Sequence, residues 1–211
     1  GPLALAHYRE HGPIGCRDSW TCELLQSHDV DAYLSHCLSL AFPRRMPGYQ
    51  APETVFVVSR DTKILDYLPP SIGPYKYINH YTRSSCFDSN LHAASQLLSL
   101  YQHQAKLIVT TLLHCALPAM AMGIPVLMVW PENSTAGRDS DRQRFSSLVN
   151  LLTVHSQEEL VAVDWNPPVV DCVMEKLTAI DSFAMATRRW QLPVVPLNWS
   201  LAPAILLPPP P

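Results

Sequence analysis

The sequence predicts an α/β fold built on a parallel sheet. Thr54–Val58, Lys106–Thr110 and Pro125–Trp130 are short runs that are apolar almost throughout, the pattern of strands covered on both faces. Between them lie longer stretches whose apolar residues recur at helical spacing, with Leu91, Ala94, Leu97, Leu98 and Tyr101 the clearest set. Gly123 stands between the second such stretch and Pro125–Trp130, where a helix-terminating glycine belongs. Alternating strands and helices joined by right-handed crossovers give a Rossmann-like layer sandwich.

Each element can be justified in chain order. Residues 13–28 read as a turn feeding a short helix capped by Asp18 or Ser19, with Trp20, Leu24 and Leu25 on one side. Residues 31–42 form a short apolar segment, a buried strand or a tight helix. Pro43, Arg44, Arg45, Pro47, Gly48 and Pro52 make a proline-rich connection, read as the boundary between a flanking segment, 1–48, and a Rossmann-like lobe, 49–165. Within the lobe come a strand at Thr54–Val58, a short amphipathic turn or helix at Lys63–Leu68 and a strand at Tyr75–Asn79. A helix at Asn90–Gln104, a strand at Lys106–Thr110, a helix over Thr111–Met122 and a strand at Pro125–Trp130 follow. Residues 139–152 read as helical, with Phe145, Leu148, Val149 and Leu152 on one face. Ser156-x-x-Glu159 is a capping box opening a short helix. A C-terminal helix occupies the segment 166–192, with Val170, Val173, Leu177, Ile180 and Ala184 at helical spacing. Residues 193–211 are a proline-rich extended tail, which a polyproline-binding partner could read.

Composition limits the function. The chain has 211 residues, enough for one domain or one domain and part of another, and a net charge of -3. No basic excess exists to neutralise a nucleic-acid backbone. Only 7 glycines are present, and neither glycine-rich phosphate-loop motif occurs. The 6 cysteines include no C-x-x-C pair, so no zinc site is expected and free thiols are. No apolar run is long enough to span a membrane. A soluble protein is expected, with a cytoplasmic or a Golgi-lumenal location left open.

Chemistry is expected beyond the carboxyl ends of the strands, where open parallel sheets bind ligands. Thr110, Thr111 and His114 stand at one strand–helix junction. Two hydroxyls and an imidazole there, together with a helix N-terminus, suit an anion and a general acid. Read structurally, His114 is an ordinary histidine and a threonine caps the helix. Arg17 directly precedes the capped helix at Asp18, a fork for carboxylate or phosphate. Arg138 and Arg142 lie in a polar stretch after Pro125–Trp130.

Three ordered blocks resemble the polysaccharide pyruvyl transferase family. Ile14-Gly15-Cys16-Arg17-Asp18-Ser19-Trp20-Thr21, followed by Tyr33-Leu34-Ser35-His36-Cys37-Leu38-Ser39-Leu40, is similar to the family's G-x-R-D-x-W-T and Y-x-S-x-C-L-T-L stretches. Ala105 to Val126 is similar to its block ending T-S-R-L-H…A-L-A-x-G-x-P-V, and Arg144-Phe145-Ser146-Ser147-Leu148 to its R-F-x-x-L segment. The resemblance implies a glycosyltransferase-B-like fold, of which this chain carries the second Rossmann-like lobe and lacks most of the N-terminal one. It implies transfer of enolpyruvyl from phosphoenolpyruvate, as donor substrate with no cofactor or metal, to two hydroxyls of a glycan or glycolipid, giving a pyruvate ketal. His114 takes the family's catalytic histidine position and Arg17 its donor-binding arginine, with Thr110 and Thr111 beside the donor. One position departs: Leu112 stands where the family has arginine, leaving Arg138 and Arg142 as substitutes. A sugar-nucleotide glycosyltransferase of the same fold is the alternative enzyme. A truncated, non-catalytic relative that binds glycans or a partner is the other alternative. Loss of the first lobe predicts an exposed face through which the chain self-associates and, alone, catalyses poorly.

Overall fold

The structure, a computed structural model, describes residues 1–46, 54–81, 84–131, 143, 145–146 and 148–189. It is a mixed α/β molecule with a five-stranded, all-parallel sheet. The strands are β3 (Thr54–Val58), β4 (Tyr75–Ile78), β5 (Ala105–Thr110), β6 (Val126–Val129) and β7 (Val154–His155). Their order across the sheet is β4-β3-β5-β6-β7. The chain therefore winds outward one way from β3 and the other way from β5, and the switch point where ligands bind in such sheets lies between those two strands. In register, Val58 faces Thr110 and Thr110 faces Met128, which brings the carboxyl ends of β3 and β5 level.

The central strands β3, β5 and β6 are almost uniformly apolar because each face has its own core. On one face Phe56, Val58, Ile108, Val126 and Met128 pack under Tyr101 of α3 (Phe87–Gln104) and Ala116 and Met120 of α4 (Leu113–Ala121). On the other, Val55, Val57, Leu107, Val109, Leu127 and Val129 pack against Ile64 and Leu160. That second layer consists of 3₁₀ turns, Thr62–Tyr67 and Glu158–Val161, rather than regular helices. Pro69, Pro70, Gly73 and Pro74 crowd the β3–β4 connection and stop a helix there. Asp61 opens the first turn by accepting from the Lys63 amide at 3.0 Å. The expected capping box opens the second, with Ser156 N donating to Glu159 Oε2 at 2.7 Å and Glu159 N to Ser156 Oγ at 3.3 Å.

The α4 helix is almost wholly buried, and His114 is its exposed residue. Pro118 lies inside it and has no N–H to offer the His114 carbonyl one turn back. Gly123 ends the helix region at φ +73°, the left-handed backbone glycine tolerates. The segment 139–152 falls partly outside the described residues. Where it is described, Val149 N bonds Phe145 O and Leu152 N bonds Leu148 O, with Phe145 and Leu148 buried and Val149 exposed.

Before the sheet, α1 (Pro2–His11) leads into β1 (Ile14–Cys16), α2 (Ser19–Gln26) and β2 (Ala32–Leu34), with β1 and β2 paired in parallel. Asp18 caps α2, accepting from Thr21 N at 2.9 Å. The buried side of α2 is Cys22 and Leu25, packed with Cys16, Val30 and Ala32. Trp20 and Leu24, expected on that side, are each 39% exposed, because so short a helix turns only one i, i+3 pair onto a two-stranded sheet. Residues 31–42 resolve into β2 and a 3₁₀ turn at Leu38–Ala41. That turn packs on α4 and on α5 (Val173–Arg189). The expected stripe on α5 is not the buried one: Val173, Leu177 and Ile180 are exposed, whereas Ala179 and Ser182 are buried. Small residues let the helix approach closely, and Lys176 Nζ donates to the Phe42 carbonyl. The proline-rich connection is described only to residue 46, and the tail beyond 189 lies outside the described residues. Among the described residues no helix is long and apolar enough to cross a membrane.

Candidate functional site

Thr110 ends β5 and is fully buried. Its hydroxyl donates to the Val58 carbonyl at 2.8 Å and accepts from the Leu112 amide at 3.0 Å. Thr111, also buried, donates its hydroxyl to Ser59 Oγ at 3.0 Å and its amide to Val58 O at 3.3 Å. Both side chains thus tie the end of β5 to the end of β3 across the switch point. The threonine signal was legible, but the partners of these hydroxyls are on a strand far away in sequence. Leu112 caps α4 and packs, partly buried, against the sheet core.

His114 is the second residue of α4, where the helix amides have no internal acceptors. Its exposed ring borders a cavity of about 950 Å³ that is also lined by Ser39, Asn79, His80, Tyr81, Asn90 and Tyr101. This volume is in the range of small-molecule sites. His80 and the Tyr101 hydroxyl are 2.6 Å apart. Burial holds the His80 imidazole below its ordinary pKa and pushes the Tyr101 phenol far up, so this wall is uncharged at neutral pH. Most of the remaining lining is apolar, including Phe42, Leu97, Leu98, Leu100 and Pro118, with the amides and hydroxyls of Ser39, Asn79, Tyr81 and Asn90 set among them, groups that can recognise a polyhydroxylated ligand without charge.

Arg17 does not line that cavity. Its Nη2 lies 3.7 Å from Asp18 Oδ2, and it borders a small recess with His36, Cys37, Leu40, Leu113 and Leu117. The residue that links the two places is Cys37. Its Sγ lies 3.3 Å from Ser39 Oγ, and the 3₁₀ turn it opens packs on α4. Burial raises the thiol pKa, but the hydrogen bonds with His114 and Ser39 and the charge on His114 outweigh it and bring it down to about 7. Cys16, by contrast, is pushed up to about 11 by burial and by Cys22, and Cys115 to about 12 by burial. Sequence reading passed over Cys37 as chemistry. Its only signal was its place in the Tyr33–Leu40 block, and its partner is a helix that folds against it later in the chain.

Arg138 and Arg142 lie outside the described residues. No group of three or more His, Cys, Asp or Glu side chains placed to hold a metal ion occurs among the described residues.

An open, all-parallel sheet with flanking helices is a Rossmann-like lobe, and His114 and the cavity lie at the edge where such sheets bind ligands. Residues 3–133 match the sequence model of the polysaccharide pyruvyl transferases, and the chain belongs to that family. The match takes in the blocks around Arg17, Cys37 and His114, and ends before the Arg144–Leu148 segment. No curated protein matches the chain, and no solved structure does.

Proposed function

We propose that the chain acts in enolpyruvyl transfer from phosphoenolpyruvate to two hydroxyls of a sugar, producing a pyruvate ketal and phosphate. The observation that carries this reading is the exposed His114 at the start of α4, beside a largely apolar cavity into whose lining Ser39, Asn79 and Asn90 bring hydroxyl and amide groups. The histidine gives a proton to the methylene carbon of the donor, leaving an oxocarbenium-like centre at the carbon that bears the phosphate. One sugar hydroxyl adds there and returns its proton to the imidazole. The carbon–oxygen bond to phosphate then breaks, and the second hydroxyl adds, its proton leaving with the phosphate. One C–H, two C–O bonds and one O–H bond on phosphate form, while the donor's C=C π bond, one C–O bond and two sugar O–H bonds break, and no external oxidant or reductant is needed.

The positive end of α4 and its free first-turn amides favour the donor's phosphate or carboxylate. Because the Thr110 and Thr111 hydroxyls already hold β3 and β5 together, the backbone is the better candidate for that contact. Arg17, Arg138 and Arg142 are the proposed cationic partners, and a glycan or glycolipid is the proposed acceptor. The fuller architecture would be a glycosyltransferase-B-like pair of lobes, with acceptor placement shared across the cleft.

Leu112, in place of the family's arginine, supports a second reading: a relative that binds the glycan without turning it over. Proton NMR of phosphoenolpyruvate with a panel of methyl glycosides, run with a phosphate assay, separates the two. A new ketal methyl signal with matching phosphate release supports transfer. Glycoside binding with neither product supports the second reading.

A further inference from the structure

We infer that His80 is a sugar-binding residue of the large cavity, its ring held by the Tyr101 hydroxyl so that the imidazole proton stands on Nδ1 and is donated to an oxygen of the sugar. That this sugar is the acceptor of a transfer rests on the reading above; the tautomer and the binding of a sugar do not.

Local chemistry sets the imidazole in place. His80 lies just past the carboxyl end of β4, at the edge where such sheets bind ligands. Asn79 shapes the turn, its Oδ1 accepting from the Tyr81 amide at 2.9 Å with His80 between the two. Tyr101 comes from α3. It is buried and packs edge-on against Phe56 of β3, with ring centroids 5.3 Å apart. Its hydroxyl and His80 Nε2 are 2.6 Å apart, and both residues border the cavity.

A buried phenol has to place its proton on an acceptor. Burial keeps the Tyr101 phenol protonated, and the bare nitrogen of an imidazole is a strong acceptor. The Cys115 thiol beside the phenol is a weak one. The Tyr101 O–H therefore donates to Nε2, which leaves the imidazole proton on Nδ1. Burial also keeps the ring uncharged at neutral pH. Nδ1 has no partner among the described residues, so it is the polar atom of the ring that a ligand can engage.

The surroundings suit a neutral, amphipathic ligand. No Asp, Glu, Lys or Arg side chain borders the cavity among the described residues, and the titratable groups that do are His80, Tyr81, Tyr101, His114 and Cys115. A pyranose has apolar C–H faces and a rim of hydroxyls. Leu97 and Leu98 offer an apolar wall to the first, and Ser39, Asn79 and Asn90 stand with His80 for the second. Anionic phosphoenolpyruvate finds no carrier of fixed positive charge on this wall, and the free amides at the start of α4 suit it better. His114, on the first turn of α4 and on the cavity lining, is common to both places.

Two measurements on the full chain test this. The first needs no ligand: long-range proton–nitrogen NMR of the histidine rings, with His80 assigned through its backbone. The parent should show Nδ1 protonated and Nε2 bare, and Tyr101→Phe should shift the ring toward the Nε2–H form. A parent with the proton on Nε2 overturns the proposal. The second is NMR titration with the methyl glycosides of glucose, galactose and mannose, and separately with phosphoenolpyruvate, with thermal melts alongside. His80→Gln keeps an acceptor for the phenol and loses the Nδ1 donor. It should melt near the parent and bind the preferred glycoside about three- to tenfold more weakly, the loss expected for one hydrogen bond. Its phosphoenolpyruvate binding should match the parent's. His80→Asn, whose amide can stand where Nδ1 does, should recover part of the glycoside affinity. Unchanged glycoside binding in His80→Gln overturns the donor role, as does a parent that binds none of these glycosides. A loss that falls on phosphoenolpyruvate instead also overturns it and assigns the wall to the donor. Glycoside binding that depends on His80 in a chain that forms no ketal defeats the transferase reading and leaves the sugar site supported.

Discussion

Replacing Thr110 with valine separates a structural threonine from a ligand-binding one. Valine keeps the shape and removes only the hydroxyl. That hydroxyl is fully buried, donates to Val58 O at 2.8 Å and accepts from Leu112 N at 3.0 Å. Leaving a buried polar group unpaired costs about 1–3 kcal/mol. Val58 O retains a second donor, the Thr111 amide at 3.3 Å, so its share falls at the low end. Leu112 is only partly buried, so water can reach its amide in part. The sum is about 2 kcal/mol, which for a chain of this size lowers Tm by roughly 4–8 °C. Calorimetric melts of parent and variant read this directly, with phosphoenolpyruvate titrated into both at a temperature where both are folded. The expected result is a lower Tm with donor affinity nearly unchanged. An unchanged Tm with donor binding lost would refute the assignment and put the hydroxyl in the ligand site.

Other outcomes follow from the same geometry. His114→Ala, at an exposed position, should change stability by no more than about 0.5 kcal/mol while abolishing ketal formation; a large drop in Tm would make the histidine structural. Gly123→Ala should cost about 1–2 kcal/mol, since alanine must adopt φ +73°, and a chemical-denaturation curve checks it. Cys37 also links stability to pH. Its folded pKa of about 7 lies below the ordinary thiol value of 9.0, so the unfolded chain binds more protons between these values and stability from this group rises with pH. The contribution is complete above about pH 9 and lost as pH falls through 7. The Tm difference between parent and Cys37→Ser should widen across that window, and a difference flat with pH would contradict it. Cys16 and Cys115, raised to about 11 and about 12, should resist alkylation at pH 7.5 under conditions that modify Cys37.

Thr54–Val58, β5 and β6 were legible because burial on both faces leaves a nearly continuous apolar signature, and the edge strand β4 was read to within one residue; β1 and the two-residue β7 were not read as strands, being short and only partly buried. Asp18, Gly123 and the Ser156–Glu159 pair were legible as well, since caps are local chemistry. Faces were harder. Trp20, Leu24 and the Val173–Ile180 stripe have the spacing of a core face, yet which side a helix buries depends on what it meets. On α5 the choice went to Ala179 and Ser182, whose small side chains carry almost no hydrophobic signal. In the site, His114 stands out from its junction alone. The Thr110 and Thr111 partners join residues distant in sequence and become visible only when β3 and β5 are assembled.

Saturation-transfer NMR with phosphoenolpyruvate and with a nucleotide sugar, on the parent chain and on His114→Ala, tests the central claim most directly. Saturation should reach the vinyl protons of phosphoenolpyruvate and not the nucleotide sugar, and the vinyl signal should weaken in the variant. A nucleotide sugar that binds while phosphoenolpyruvate does not would contradict enolpyruvyl transfer and assign the site to glycosyl transfer.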